Sequence, residues 1–239
     1  LGKQPDALKH HGFDEHCVWT GVEAGRAETE DRYWDGHIMT NGRRATAPYG
    51  PDTINSFLID FIRRNREKPF LVYYPMLLTH GPPMTTPQNK DHAPEGKEAL
   101  YAGNVTYMDQ LVGKLIEAVD KAGLGHNTLI VFTGDNGSSA AGKLNGKPFE
   151  KGKGHEADRG AHVPFVVRAP FLTSGGRVSR DLIDFTDLSP TFLELAKTAP
   201  PKGVTLDGRS FVPSLRGSED PFEKRNWIFS QLGDFRMIR

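Results

Sequence analysis

The chain has 239 residues, 37% of them apolar, enough for a substantial buried core. Thirty basic side chains balance thirty acidic ones, so no field of one sign favours nucleic acid or an anionic membrane, and a bound anion needs a local site. The single cysteine, Cys17, excludes an internal disulfide, and no apolar run reaches the roughly 20 residues of a membrane-spanning helix.

The chain opens on Leu1-Gly2-Lys3, with neither an initiator Met nor a signal-peptide pattern, and reads as an interior piece of something longer. Residues 1–50, rich in Gly, His and charge, predict loop with short strands. Ile54, Phe57, Leu58, Phe61 and Ile62 recur at helical spacing and predict a helix over Asp52–Asn65, capped by Asp52 or Thr53. "PFLVYYPMLLTH" from Pro69 reads as a strand buried on both faces, ending at Thr79-His80 before Gly81-Pro82-Pro83. A polar loop follows, then a long helix over Lys97–Ala122 with Met108, Leu111, Val112, Leu115, Ile116 and Val119 on one side, stopped by Gly123 and Gly125.

A strand over 128–133 ends in Gly134-Asp135-Asn136-Gly137. Residues 137–162 form a glycine-rich loop, 163–167 a short buried strand, and "TDLSPTFLELAK" a helix with Ser189 as N-cap and Pro190 at N1. Strands alternating with amphipathic helices predict an α/β layered fold with a largely parallel central sheet flanked by helices. In such sheets chemistry sits beyond the carboxyl ends of the strands, where His80 and the Asp135-Asn136 pair both fall.

Asp135 and Asn136 offer hard oxygen donors of the kind Ca²⁺ and Mg²⁺ accept; the same pair also suits an Asx-turn after a strand. His80 could bind an anion, act as a general acid, or simply bond a loop carbonyl. Lys151 and Lys153 lie in "FEKGKGHEADRGAHVP", where glycines expose backbone N–H groups around a lysine, as an oxyanion cradle or as a solvated loop. No P-loop string occurs. Cys17, with no glycine elbow or basic setting, reads as a buried structural cysteine. The Asn104-Val-Thr106 sequon falls on a predicted helix and reads as coincidental.

Together these motifs, in this order, resemble the formylglycine-dependent sulfatases of the alkaline phosphatase superfamily. "HGFDEH" resembles the segment after the family's Gly-Lys-x-His-Leu-Gly motif, with Leu1-Gly2 as that motif's end. "YPMLLTHGPP" resembles the strand ending in the active-site histidine, "NTLIVFTGDNG" the Asp-Asn metal strand, "GKGHEADRGAHVP" the Gly-Lys-Gly loop, and "LDGRSFVPSLRG" a later element. The resemblance implies an alkaline-phosphatase-like sandwich in which Asp135 and Asn136 ligate Ca²⁺. It implies that Lys153 binds the sulfate group and that His80 binds it or protonates the leaving alcohol. The family's nucleophile is a formylglycine made from Cys or Ser in Cys/Ser-x-Pro-Ser-Arg; its hydrated aldehyde attacks sulfur, the alcohol leaves, and sulfate is then expelled. The implied substrate is a small-molecule or carbohydrate sulfate ester, and the implied location periplasmic or extracellular; nothing in the sequence speaks to oligomeric state.

The chain departs from the pattern at three places. Cys17 is followed by Val-Trp-Thr-Gly and cannot be the formylglycine precursor; the family's N-terminal Asp pair is absent; and Asp158-Arg159-Gly160-Ala161-His162 stands where many members read Glu-Gly-Gly-x-Arg. The departure leaves the roles of His155, Asp158 and His162 open, with His155 and His162 carried as substrate-binding candidates. Residues 1–215 are expected to be part of a catalytic domain without its nucleophile region, and 216–239 the start of a C-terminal subdomain. The chain alone is expected to be inactive. The rival readings are a phosphate or phosphonate ester hydrolase of the same superfamily and a non-catalytic metal-binding scaffold.

Overall fold

The computed structural model describes residues 7–21, 32–220 and 224–239, so the match expected at Leu1-Gly2 lies outside the described residues. The chain forms two compact units, Leu1–Gly125 and His126–Arg239.

The first unit begins with a short helix α1 (Ala7–His10) and an antiparallel sheet of β1 (Cys17–Trp19), β2 (Trp34–Thr40) and β3 (Arg43–Tyr49), in that order. Asn41 and Gly42, both at positive φ, turn β2 into β3, as a two-residue hairpin of this hand requires. Helix α2 (Gly50–Arg64) lays Ile54 and Leu58 against Cys17, Ile38 and Ala47 of the sheet and buries Ile62 as well, each contributing about 1.5–3 kcal/mol by burial. Helix α3 (Lys97–Lys121) adds Tyr107 and Leu111 to a second cluster with Tyr33, Tyr49 and Leu78. Its end is a Schellman motif: Gly123, at φ +77°, donates to Asp120, and Leu124 donates to Val119.

Burial pushes the Cys17 thiol up, and its Sγ lies 3.3 Å from Thr40 Oγ1, which is the structural cysteine expected. Neither expected cap serves α2. Tyr49 is its N-cap; Thr53 donates back to the Tyr49 carbonyl, and the Asp52 carboxylate accepts the Tyr107 hydroxyl at 2.8 Å. Asn104 is 1% exposed, and its amide is spent on both backbone groups of Met84, so folded Asn104 offers no acceptor for glycosylation.

The run from Pro69 differs from expectation. It is extended but joins no ladder, and Leu71 and Tyr73 are 66% and 69% exposed while Val72, Tyr74, Met76 and Leu77 pack on the two clusters. Its apolar composition hid a period-two pattern, one face buried and the other not.

In the second unit β4 (Ile130–Thr133) pairs antiparallel with β7 (Phe165–Arg168). Between them lie the hairpin β5 (Gly142–Leu144) and β6 (Lys147–Phe149) and the one-turn helix α4 (Asp158–Ala161). A 3₁₀ turn at Phe185–Asp187 leads into α5 (Leu188–Leu195), followed by α6 (Val212–Arg216) and the hairpin β8 (Phe229–Leu232) and β9 (Phe235–Ile238). The α/β character is as expected, whereas the ladders among the described residues are all antiparallel. Strand-like composition does not encode pairing direction, and the run from Pro69 supplies no ladder at all.

Ser189 is not the cap of α5. Asp184 caps one turn earlier, accepting from the Thr186 N–H while the Asp187 carboxylate accepts from the Asp184 N–H; Pro190 sits in the first turn, where its missing N–H costs nothing. Asp187, 2% exposed, also accepts from the Arg209 N–H at 2.7 Å and pairs with the Arg225 guanidinium through Nε at 3.1 Å and Nη2 at 2.5 Å. This network ties "TDLSP" to "LDGRSF".

Two measurements test these contacts. Asp187→Ala leaves a largely buried guanidinium unpaired and is expected to lower unfolding stability by about 3–5 kcal/mol in urea titrations. At the first unit's surface, Arg64 grips Glu15 with both terminal nitrogens, at 3.0 and 2.8 Å, and holds its carboxyl below the ordinary value. A depressed folded pKa gives stability that is present above the unfolded value and lost as pH falls through the folded one. The melting difference between wild type and Glu15→Gln should therefore be largest near neutrality and vanish in acid and in high salt.

Candidate active site

Thr133 is the last residue of β4, and the chain leaves the strand through Gly134, whose N–H donates to Pro164 at 3.4 Å. Asp135 is exposed and Asn136 half-buried in the turn that follows. The Asn136 amide oxygen is fully enclosed and accepts no hydrogen bond among the described residues.

Gly137 comes next, and its N–H donates to Gly160 at 2.9 Å. Gly152 and Lys153 both donate their N–H groups to the carbonyl of Ser138, at 2.9 and 3.0 Å. His155 donates its N–H to Gly152 at 2.9 Å. The turn carrying Asp135 and Asn136, the loop carrying Lys153 and His155, and α4 are thus held together by backbone hydrogen bonds. A methyl on Gly137 or on Gly152 would overlap the Arg159 carbonyl oxygen, so the three segments touch without intervening side chains.

Lys153 itself is exposed. His155 Nδ1 accepts the Ala157 N–H at 3.0 Å, which makes that nitrogen the unprotonated one. Its 4.0 Å approach to Glu156 is therefore a contact rather than an ion pair; the shorter, directional bond decides the tautomer. His162 is exposed, its N–H bonded to Asp158 at the end of α4. Asp158 also accepts from Arg239 at 2.8 Å, and Arg159 pairs with Glu150. So five of the six candidates, Asp135, Asn136, Lys153, His155 and His162, belong to one backbone-linked group in the second unit.

His80 belongs to the first unit. It is exposed; its N–H donates to Leu77 at 2.9 Å, its carbonyl accepts the Tyr33 hydroxyl, and Nδ1 donates to the Gly81 carbonyl at 2.7 Å. Because a carbonyl can only accept, Nδ1 is the donor in that bond. Tyr33, 1% exposed, also donates to Leu77, and the indole of Trp34 donates to Thr85 at 2.9 Å. Sequence reasoning missed Tyr33, which lies 47 residues from His80 with no local signal. It also missed Gly137, Gly152 and Gly160; their clustering around Lys153 was visible, but their contact was not.

For a divalent cation, the donors suit a hard ion: one carboxylate and one enclosed amide oxygen without a partner. No group of three or more His, Cys, Asp or Glu side chains that could hold a metal occurs among the described residues. Asp135 and Asn136 therefore fit as part of a coordination shell.

A family model described as Sulfatase matches residues 2–198. Steryl-sulfatase of Mus musculus is 35% identical over 166 residues, covering 66% of this chain and 26% of the relative. N-acetylgalactosamine-6-sulfatase of Canis lupus familiaris is 31% identical over 246 residues, covering 92% of the chain and 45% of the relative. The chain thus spans less than half the length of these curated relatives. Among solved structures, Ps i-CgsB in complex with k-i-k-neocarrahexaose superposes with a TM-score of 0.74 at 27% identity, over 92% of this chain and 54% of that one. BT4656 in complex with D-glucosamine-2-N,6-O-disulfate gives 0.72 at 17% identity, over 100% and 72%, a likeness of fold. A match across residues 2–198, on a chain whose motifs run in the expected order, makes this protein a member of the sulfatase family.

Proposed function

We propose that the protein carrying this chain hydrolyses organic sulfate esters, with Ca²⁺ held in part by Asp135 and Asn136. The observation that carries this reading is the enclosed, partnerless amide oxygen of Asn136 in a turn bonded to the Lys153 loop. An amide oxygen in that position costs about 1–3 kcal/mol if nothing meets it, and a hard cation meets it well.

Each residue then has a role set by its chemistry. The Lys153 ammonium binds the sulfate oxygens as a point charge. His80, oriented by Gly81, protonates the leaving alcohol from Nε2. Calcium held in part by Asp135 and Asn136 would supply charge stabilisation for the sulfate group, and a formylglycine, as the family resemblance implies, would supply the attacking oxygen. No Cys- or Ser-x-Pro-Ser-Arg string occurs in the 239 residues, so this chain alone is expected to show no turnover. Residues 1–215 are assigned to the catalytic domain and 216–239 to the start of a C-terminal subdomain, and export is the expected fate of the protein. A carbohydrate sulfate ester is the proposed substrate class. N-acetylgalactosamine-6-sulfatase, aligned over 92% of the chain, and the k-i-k-neocarrahexaose complex of Ps i-CgsB both support it.

The test is sulfate release by the full-length, formylglycine-bearing protein from N-acetylgalactosamine 6-sulfate, sulfated galactan oligosaccharides and an aryl sulfate, with the phosphate analogue of the aryl ester alongside. Turnover of sulfate but not phosphate esters is expected; preference for the phosphate would install the phosphohydrolase reading, and calcium binding without turnover the scaffold. Lys153→Ala should lower kcat/KM by roughly 10²–10³-fold, and His80→Ala by about 10²–10⁴-fold. Asn136→Ala should weaken calcium binding at least about 10-fold in calorimetry. Wild-type calcium affinity in that variant would remove Asn136 from the site.

A further inference from the structure

Six glycines lie in the stretch from Gly137 to Gly160; a Cβ on Gly142 would meet only the Phe149 ring, and the other five divide into two kinds. Gly146 and Gly154 sit at φ +76° and +78° with open space where a Cβ would be; they are turn residues, chosen for backbone conformation. Gly137, Gly152 and Gly160 are the opposite case. None has a positive φ, yet a Cβ on any of them would overlap a backbone carbonyl oxygen: that of Arg159 for the first two, that of His155 for the third. The Cβ of Gly137 would also lie 2.9 Å from the Cα of Gly152, and that of Gly160 3.2 Å from the Gly152 carbonyl oxygen. Their glycine identity is demanded by space alone.

We infer that Gly152, pressed against Gly137 and the Arg159–Gly160 backbone, is a positioning residue for Lys153: the absent side chain sets how closely the Lys153 loop approaches the Asp135–Asn136 turn. The inference rests on the sulfatase reading proposed above. Lys153 follows Gly152 directly, and the N–H groups of both residues converge on the Ser138 carbonyl, at 2.9 and 3.0 Å. Ser138 follows Gly137 directly, so the two sides of the site are one bonded residue apart from each other's contact. A methyl at Gly152 cannot be absorbed by a rotamer change, because the atoms it meets are backbone. The loop must move as a body, taking the Lys153 Cα with it. A displacement on the order of 1 Å at a charge-bearing group costs about 10²-fold in rate.

A double-mutant cycle on the full-length enzyme reads this. Gly152→Ala alone should lower kcat/KM for the best sulfate ester by about 10–100-fold. In a Lys153→Ala background the same change should cost less than about 3-fold, because the group it displaces is gone. Gly113→Ala on α3, where nothing lies within 4 Å of the added carbon, should leave activity unchanged and serves as the control for helix and handling. An equal loss in both backgrounds would mean general damage to the loop and would overturn the inference, as would wild-type activity in Gly152→Ala. If Gly152→Ala does not fold, Gly160→Ala takes its place in the same cycle, and failure of both to fold makes the contact a folding element and overturns the positioning role. A wild-type enzyme without sulfatase turnover is a different result: it sinks the proposed function itself, and the inference with it.

Discussion

Backbone has to touch backbone at Gly137, Gly152 and Gly160, and the candidate site follows from that requirement. Polypeptide segments normally keep apart by the width of their side chains; removing Cβ at the crossing lets carbonyls and N–H groups of three segments reach one another directly. The gain is rigidity without a sheet. The second unit holds its site residues on loops between short antiparallel ladders, and loops are ordinarily the mobile part of a fold. Here the turn after β4, the Lys153 loop and α4 exchange hydrogen bonds of 2.9–3.0 Å among themselves.

The first unit solves the same problem with buried polar side chains. Tyr33 reaches the carbonyls of Leu77 and His80, Trp34 that of Thr85, and Asn104 both backbone groups of Met84. These bonds fasten the irregular segment 77–86 to β2 and α3, and they satisfy carbonyls that no ladder pairs. Asp187 does the equivalent work in the second unit, accepting from two backbone N–H groups and one arginine. In each unit, aromatic or carboxylate anchors set the backbone, and the backbone sets the functional group.

What the sequence made legible was local. The stripe of α2 lies in its residue spacing, as do the long α3, its glycine stop and the acid-amide pair at the end of β4. Asp135, Asn136, Lys153, His155 and His162 could be singled out as candidates because they lie close in sequence, in glycine-rich stretches that carry the family resemblance. What stayed hidden involved distance. Tyr33 bonds a residue 47 positions away, and Asp187 reaches Arg225 across 38. The exposure of Leu71 and Tyr73 was illegible for a different reason: a run apolar at almost every position carries no period, so composition alone suggested two buried faces where only one is packed. Ser189 is misread as a cap because Ser189-Pro190 is a strong local signal; the side-chain cap falls one turn earlier, where Asp184 starts the 3₁₀ turn that leads into α5 and exchanges bonds with Asp187.

The pairing of an acid with an amide at the end of β4 has its own logic. Two carboxylates enclosed side by side would repel, and at least one would be driven to bind a proton instead of a cation. An amide supplies a second oxygen without a second charge, at the cost of an acceptor that water cannot reach. Asn136 bears that cost in the structure, with its oxygen enclosed and no donor aimed at it, while exposed Asp135 remains solvated. Under the proposed calcium role the cost is conditional, since a cation that fills the position both meets the amide and neutralises the acid. Binding would then stabilise the folded chain by mass action, more strongly as calcium rises above its dissociation constant. The glycine contact immediately downstream would carry that stabilisation to Lys153 through bonds already in place.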